Sequence, residues 1–567
     1  MNKRKLPVIS RRQFVGTTIA STLLTLGGSS FFSAVATKRK RPNILFILTD
    51  DLGWGDLSIY GKTYQTPNLD QLATEGTRFT NAYAAQTVCT PTRVGFFTGR
   101  YPARLPVGLQ EPLAGGETVG LPPEHPTIAS LLKANGYETA LVGKWHTGFL
   151  PDYGPLKSGF DEFFGNYSGA IDYFTHKDGN GKLDFYEGEV PVDKPGYATD
   201  LYTERAVEFL KKPRNQPFYL SLHYNAPHWP WEGPEDEELS KTFYNSNAFT
   251  AGGSPEIYAA ILKSLDDGVG RVLQALNESG QADNTIVIFV SDNGGEKYSD
   301  IGPFQGRKGG LYEGGIRVPT LIRWPGVIQP NQVSSQAIIT FDLTATILAA
   351  TGTSPDPNYP LDGQNLLPVL LGKKPVYPRT LFWRYKSNIA GRSSGQLQAA
   401  VRSGDWKYSD FGSFQGKKGS LYEGGLRVPT FIRWPGVIQP DQVNSQVLIT
   451  MDLTAIILAA TGTSPDPNYP LDGRNLLPVV LGKKPVYPRT LFWRYKSNVV
   501  GRSSKELQAA VRNGDWKYLR QGEKEYLFHL ATDEGEQIDL KENYPKVLQR
   551  LRDRFEEWNG QVLPYPA

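Results

Sequence analysis

Four apolar runs limit what this chain can become. Residues 43–48, 139–142, 218–222 and 285–290 are each continuous. Each ends in polar or charged residues: Thr49-Asp50-Asp51, Gly143-Lys144-Trp145-His146, Ala226-Pro227-His228 and Ser291-Asp292-Asn293. A run without alternation reads as a strand buried on both faces, the condition of a parallel sheet between helices. Helix-like stretches at 127–135, 201–211 and 256–278 separate them. Alternating strands and helices predict a doubly wound α/β sheet, and ligands of such sheets bind beyond the carboxyl ends of the strands. Acidic, amide, lysine and histidine residues at those ends point to one composite site.

The start of the chain has a different composition. Ser10-Arg11-Arg12-Gln13-Phe14-Val15 resembles the twin-arginine export motif, an apolar run follows over 17–34, and Ala34-Val35-Ala36 offers small residues for cleavage. Residues 1–36 thus read as a signal peptide, and the protein as exported, periplasmic or extracellular in a bacterium, touching the membrane only transiently through its leader. The run is short and diluted by Gly and Ser, which weighs against an uncleaved anchor. The leader holds five positive charges and no negative ones, so its removal takes the net charge from +4 to −1. That balance gives no footing for nucleic-acid binding. Residues 38–41, Lys-Arg-Lys-Arg, read as a solvated tether.

A second constraint is a tandem duplication. Residues 299–408 return as 409–518, with 91 of 110 positions identical. Each copy mixes a loop, a strand and a helix with later strands, so neither resembles an independent domain or a solenoid unit. The expected organisation is a catalytic domain over 42–375, a surplus segment over 376–485, looped out or packed as an extra layer, and a C-terminal α+β domain over 486–567. The first half of copy one would complete the large sheet. The second half of copy two would build the terminal domain with 526–530 and a helix over 545–558. The opposite assignment and a domain-swapped oligomer are also open.

Asp50, Asp51, Asp292 and Asn293 are hard oxygen donors and suit Ca²⁺ or Mg²⁺ rather than a thiophilic metal. Taken singly, each could be a helix cap or turn former. Cys89, the sole cysteine, precedes Pro91, which fits the first turn of a helix running through Phe97. At a helix N-terminus the thiol position faces free N–H groups that favour an anion, and Arg93 lies one turn on. A buried inert thiol is the plainer reading. A cysteine-protease nucleophile needs a His-paired thiolate and no metal, which the acidic clusters oppose.

Cys89-Thr90-Pro91-Thr92-Arg93, followed by Gly99-Arg100, resembles the Cys-x-Pro-x-Arg signature of the type I, formylglycine-dependent sulfatases. The opening 43–56 stretch, Gly143-Lys144-Trp145-His146, Ala226-Pro227-His228, Ser291-Asp292-Asn293-Gly294-Gly295 and Lys308-Gly309 through Glu313-Gly314-Gly315 follow in the family's order. Trp54-Gly55-Asp56-Leu57 and 159–165 look most like the arylsulfatase A and N-acetylgalactosamine-6-sulfatase branch. The resemblance implies an alkaline-phosphatase-like sheet with a smaller C-terminal antiparallel α+β domain, and hydrolysis of sulfuric esters. It implies that Cys89 is oxidised to formylglycine by a formylglycine-generating enzyme. The aldehyde hydrate attacks sulfur, and its second hydroxyl expels sulfate. Asp50, Asp51, Asp292, Asn293 and the modified Cys89 would hold Ca²⁺ in preference to Mg²⁺. Arg93 would steady the hydrate, and Lys144 and Lys308 would bind the sulfate. His146 would take the proton that drives elimination, and His228 would assist the leaving group. Twin-arginine export carries folded proteins, so the modification can precede export.

His223, which falls outside the motif, reads as structural, as do His125 and His529, with His176 a candidate substrate contact. Lys418 holds the place of Lys308 in copy two. The substrate would be a sulfated small molecule or sugar, its selectivity set by loops such as 166–184 and 229–249. Two other functions stay open: a phosphoric or phosphonic ester hydrolase on the same scaffold, and a non-catalytic protein whose site the repeat has disrupted.

Overall fold

The computed structural model describes residues 40–115, 118–242, 252–387, 397–409, 416, 419–496 and 507–564. The leader and Lys418 lie outside the described residues. The four apolar runs form β1 (Asn43–Thr49), β4 (Glu138–Lys144), β8 (Phe218–His223) and β9 (Thr285–Ser291). They are joined by β2 (Thr77–Phe79), β5 (Glu162–Asn166), β6 (Tyr186–Glu187), β7 (Val190–Pro191), β10 (Thr320–Arg323) and β11 (Gln332–Ser334) in one ten-stranded sheet. A side pair is made by β3 (Ala82–Tyr83) and β12 (Ile338–Ile339). The sheet order is β11-β2-β10-β9-β1-β8-β4-β5-β6-β7, with β9, β1, β8, β4 and β5 parallel and β10 antiparallel to β9.

Alternate side chains of the central strands feed two cores. Leu45, Ile47, Leu220, Leu222, Val287 and Phe289 face one layer, packed under the helices Pro67–Thr74, Ala198–Lys211 and Pro255–Glu278. Ile44, Phe46, Leu48, Ile286, Ile288 and Val290 face the other, under Cys89–Thr98, Ile128–Ala134 and Thr340–Thr351. Burial on both faces is why these strands read as unbroken apolar runs. Arg41, the last residue of the expected tether, is exposed and donates to the Asn135 carbonyl, 5.4 Å from the Tyr137 ring centroid.

The duplication resolves unequally. Copy one supplies β10, which fills the slot between β9 and β2. It then forms β13 (Thr380–Tyr385), β14 (Gln398–Ser403) and β15 (Trp406–Ser409), an antiparallel sheet. This part of the segment expected to be surplus is packed rather than looped out. Leu381, Trp383 and Tyr385 share a core with Tyr83, Ala85 and Val88, just ahead of Cys89, and Trp383 Nε1 donates to the Ala84 carbonyl at 2.9 Å. Copy two builds β16 (Thr490–Tyr495), β17 (Gln508–Asn513) and β18 (Trp516–Gln521), joined by β19 (Lys524–His529) and covered by the helix Pro545–Asn559. Each copy repeats its own bracing: Glu313 pairs with Lys407 as Glu423 pairs with Lys517, both at 2.8 Å.

The counterpart of β10 in copy two, residues 430–433, forms no strand. Both sheet edges that would accept it are taken by β10. Matching apolar positions are therefore buried in copy one and exposed in copy two: Leu321 is 0% exposed and Phe431 72%, Ile347 1% and Ile457 60%. The two copies should respond differently to truncation. Leu321→Ala should destabilise the protein by about 2–5 kcal/mol, the usual cost of a buried Leu-to-Ala cavity, whereas Phe431→Ala should stay within about 0.5 kcal/mol. Denaturant titration of the two variants checks this, and equal losses would reject the assignment of copies.

Candidate active site

The carboxyl ends of β1, β4 and β9 and the start of the helix Cys89–Thr98 meet at one buried cluster. Asp50 and Asp51 follow β1, Lys144 ends β4, and Asp292 and Asn293 follow β9. All five are fully buried, as is Arg93. Arg93 reaches across the site: Nε donates to Asp292 Oδ2 at 3.1 Å, Nη2 lies 3.8 Å from Asp50 Oδ2, and Nη1 donates to the Lys144 carbonyl at 2.9 Å. Lys144 Nζ pairs with Asp50, and Lys308 Nζ lies 2.6 Å from Asp51 Oδ1. Asn293 Nδ2 donates to Asp51 Oδ1 at 2.7 Å.

Three carboxylates thus face three cations in a site nearly closed to water, only the Lys308 side chain keeping 5% exposure. Burial penalises the Asp50 carboxylate, but the cations around it, Lys144 foremost, with Arg93 and Lys308, outweigh it and hold Asp50 well below the usual carboxylate range. Asp51 and Asp292 go the other way. Burial pushes Asp51 up to about 7 against the pull of Lys308, and Asp292 to about 6, with the Asp50 charge adding to the rise. Two of the three carboxylates are thus hard to ionise where they are buried, a penalty that a bound cation would relieve.

The donor set fits a hard divalent metal. Ligand atoms of Asp50, Cys89 and Asp292 lie within 4.8 Å of one another, as do those of Asp50, Asp51 and His228. Asp50 Oδ1 and Asn293 Oδ1 are buried oxygens without a hydrogen-bond partner, the state expected of acceptors reserved for a metal ion. Asp51 occupies the left-handed backbone region, φ 64°. Strain of this kind costs roughly 1–3 kcal/mol and persists where the surroundings over-determine it. Here Asp56 provides the anchor: its carboxylate accepts from Gly53 N, Ser299 Oγ and Tyr258 Oη, all at 2.7 Å, and clamps the loop that follows Asp51.

Cys89 opens its helix, as Pro91 foretold, with Val88 as the flanking extended residue. Burial pushes the thiol up, so it is no thiolate. His146, also at positive φ (52°), holds Nε2 against the Leu113 carbonyl at 2.9 Å and leaves Nδ1 buried and without a partner. Its ring lies over Gly169, where a Cβ would fall 2.5 Å from Cε1, so only glycine fits. His228 Nε2 lies 3.6 Å from Asp51 Oδ2. Burial, then the ammonium of Lys144 beside His146 and of Lys308 beside His228, drive both imidazoles well below their ordinary range, so both are neutral proton acceptors.

The structure thus brings all ten residues singled out from the sequence into one cluster. It also adds others. His223, read as structural, holds Nδ1 3.3 Å from Arg93 Nη1 and Nε2 2.7 Å from Ser221 Oγ, and stacks on Phe97. It positions the arginine. Its only sequence signal was its place at the end of β8. His176 points inward, its ring stacked on Phe185 at 4.2 Å and Nε2 at the Gly196 carbonyl, so it is no substrate contact. The His228 loop is braced by Tyr173, whose Oη donates to the His228 carbonyl and whose N–H donates to Glu232 Oε2, both at 2.9 Å.

Comparison with known proteins places this arrangement. The family model described as Sulfatase matches residues 42–353, and the model of the N-sulphoglucosamine sulphohydrolase C-terminal region matches twice, over 302–414 and 409–561. The chain is 36% identical over 384 residues to N-acetylgalactosamine-6-sulfatase of Homo sapiens, covering 63% of this chain and 71% of that protein. It is 34% identical to arylsulfatase G of Rattus norvegicus, covering 64% and 74%. Among solved structures, Ps i-CgsB in complex with k-i-k-neocarrahexaose superposes with a TM-score of 0.56 at 25% identity, covering 92% and 93%.

The brace behind His228 carries a pH signature. Burial, next to Asp172, raises the Glu232 carboxyl from 4.5 to about 10. The folded state therefore keeps a proton that the unfolded chain sheds. This stabilisation is complete below about 4.5 and is lost as the pH rises towards 10. Glu232→Gln cannot ionise, so its melting temperature relative to the unaltered protein should climb as the pH is raised from 5 to 9. Calorimetry across that window checks the trend, and a flat difference would contradict it.

Proposed function

The chain belongs to the sulfatase family and hydrolyses sulfate esters, and from that premise we propose that it acts on a sulfated sugar at a centre built from formylglycine at position 89 and Ca²⁺. The observation that carries this reading is the convergence of Asp50, Asp292 and Cys89 in one buried cluster, with two buried oxygens left without partners. When bound, Ca²⁺ would polarise the sulfate, and the hydrated aldehyde of formylglycine would supply the attacking oxygen. Asp50, Asp51, Asp292 and Asn293 would hold the metal.

The other roles fall to side chains already in place. Lys144 and Lys308 would meet sulfate oxygens as compact point charges. Arg93, locked by Asp292, the Lys144 carbonyl and His223, would steady residue 89 from one helical turn away. His146, neutral with Nδ1 bare, is suited to take the proton that releases sulfate. His228 would serve the departing sugar oxygen. The names of the human relative, a hexosamine sulfatase, and of the carrageenan-bound neighbour favour a sugar as the rest of the substrate. Twin-arginine export would deliver the protein already folded and modified by a formylglycine-generating enzyme to the periplasm or beyond.

Peptide mass spectrometry of the exported protein should show at Cys89 the mass loss of thiol-to-aldehyde conversion. Aryl sulfate should be turned over faster than the matched aryl phosphate. Lys308→Ala should lower kcat/KM by about 10²–10³, the scale of removing one preorganised charge-stabilising donor. An unmodified thiol in an active protein would reject the nucleophile, and faster phosphate turnover would favour a phosphoric ester substrate.

A further inference from the structure

The protonation pattern of His146 is set by a strap from another part of the chain. A carbonyl oxygen only accepts, so the contact with the Leu113 carbonyl makes Nε2 the protonated nitrogen and leaves Nδ1 bare. The hydrogen bond made by one imidazole nitrogen thus decides whether the other is free to take a proton. Leu113 ends the strap Glu111-Pro112-Leu113, and its N–H donates to Thr90 Oγ1, beside Cys89, at 3.0 Å. The strap therefore touches both the base and the helix that opens at residue 89. It belongs to no helix or strand, so no ladder of backbone hydrogen bonds fixes its carbonyl in place.

Glu111 supplies the anchor. Its side chain is buried, and each carboxyl oxygen accepts a donor: Oε1 from Gln86 Nε2 at 3.1 Å, and Oε2 from the Lys386 N–H. Gln86 uses the rest of its amide on backbone. Nε2 also donates to the Arg384 carbonyl, and Oε1 accepts the Thr87 N–H at 2.9 Å. The backbone of Gln86 meets Thr92 Oγ1, in the helix Cys89–Thr98, through its N–H at 3.0 Å and its carbonyl at 2.9 Å. Arg384 lies at the end of β13 and Lys386 just after it, in the segment that the repeat makes look surplus. One buried carboxyl group thus joins the strap, the residues ahead of Cys89 and the end of β13.

We propose that Glu111 is a positioning residue for sulfate release: by clamping the strap to β13 it holds the Leu113 carbonyl on His146 Nε2 and keeps Nδ1 bare as the proton acceptor. This rests on the role given to His146 above. Without the clamp the carbonyl is free to shift, and the imidazole divides between two tautomers, only one of which offers Nδ1 as a base. Loss of the alcohol does not use that proton transfer, whereas release of sulfate does. A loosened strap therefore slows the second half of the reaction and spares the first. The end of β13 takes part in the chemistry through two backbone groups, the Arg384 carbonyl and the Lys386 N–H.

The test sets Glu111→Ala, Glu111→Gln, His146→Ala and the double variant Glu111→Ala/His146→Ala against the unaltered protein on an aryl sulfate, by rapid mixing and in the steady state. Glu111→Ala should lower kcat by about 10–100-fold, part of the roughly 10²–10⁴ that a positioned base contributes. KM should fall with it, and the phenol should appear in an early burst, because only the later step is slowed. Glu111→Gln keeps an acceptor for the Lys386 N–H and should fall between. The double variant should be no slower than His146→Ala, since Glu111 acts through that ring. Hydrogen exchange, read without turnover, should quicken in Glu111→Ala over residues 108–115 and stay unchanged across β1 and β9. Equal losses of kcat and kcat/KM without a burst, additive losses in the double variant, or an unchanged strap would overturn the positioning role and leave the reading of His146 intact. A His146→Ala variant without a burst would overturn that reading and this inference together. If Glu111→Ala does not fold, Glu111→Gln takes its place in the double variant and is judged by the same outcomes.

Discussion

The structure turns on the balance of charge at the strand ends. Asp50, Asp51 and Asp292 are buried at the top of the sheet against Arg93, Lys144 and Lys308. Buried charges are tolerated only when paired and hydrogen-bonded with good geometry. That demand reaches outward. Arg93 needs His223 and the Lys144 carbonyl, His223 needs Ser221 and Phe97, and the strained Asp51 needs the Asp56 clamp. The lysines that satisfy the carboxylates are the two charges assigned to the sulfate in the proposed function, so that reading puts stability and chemistry on the same atoms.

The same sheet explains the fate of the duplication. One slot exists between β9 and β2, and copy one follows β9 directly, so it takes the slot. It also lays β13–β15 against the residues before Cys89, where Trp383 and Leu381 complete a core that would otherwise stay open. Copy two keeps what needs nothing from the large sheet: the internal brace and a sheet completed by the following β19 and helix. It loses what needs the large sheet. Nearly identical segments thus adopt different structures because burial partners, not local propensity, decide whether a short strand forms.

Much of the site was readable before any coordinates. Unbroken apolar runs announced β1, β4, β8 and β9, since a strand covered on both sides has no polar face to show. Their polar ends announced the cluster, and Pro91 announced the helix that opens at Cys89. Motif order linked these to known sulfatases. His223 escaped because its role is to hold Arg93, a contact between residues 130 positions apart with no local signature. His176 turns inward onto Phe185, a direction that a lone histidine in a sequence does not reveal.

The sequence by itself determined the doubly wound sheet, the acidic and amide donors at its strand ends and the helix that opens at Cys89, because each rests on local patterning: two-sided burial along a strand, residue type at its end and a proline in a first turn. Only the tertiary structure decided which copy of the repeat builds the catalytic domain, that the supposed surplus packs against it, and that the strap over 111–113 joins the end of β13 to His146. Those outcomes depend on competition for one sheet edge and on which distant loops meet, and neither is encoded in any short stretch of residues.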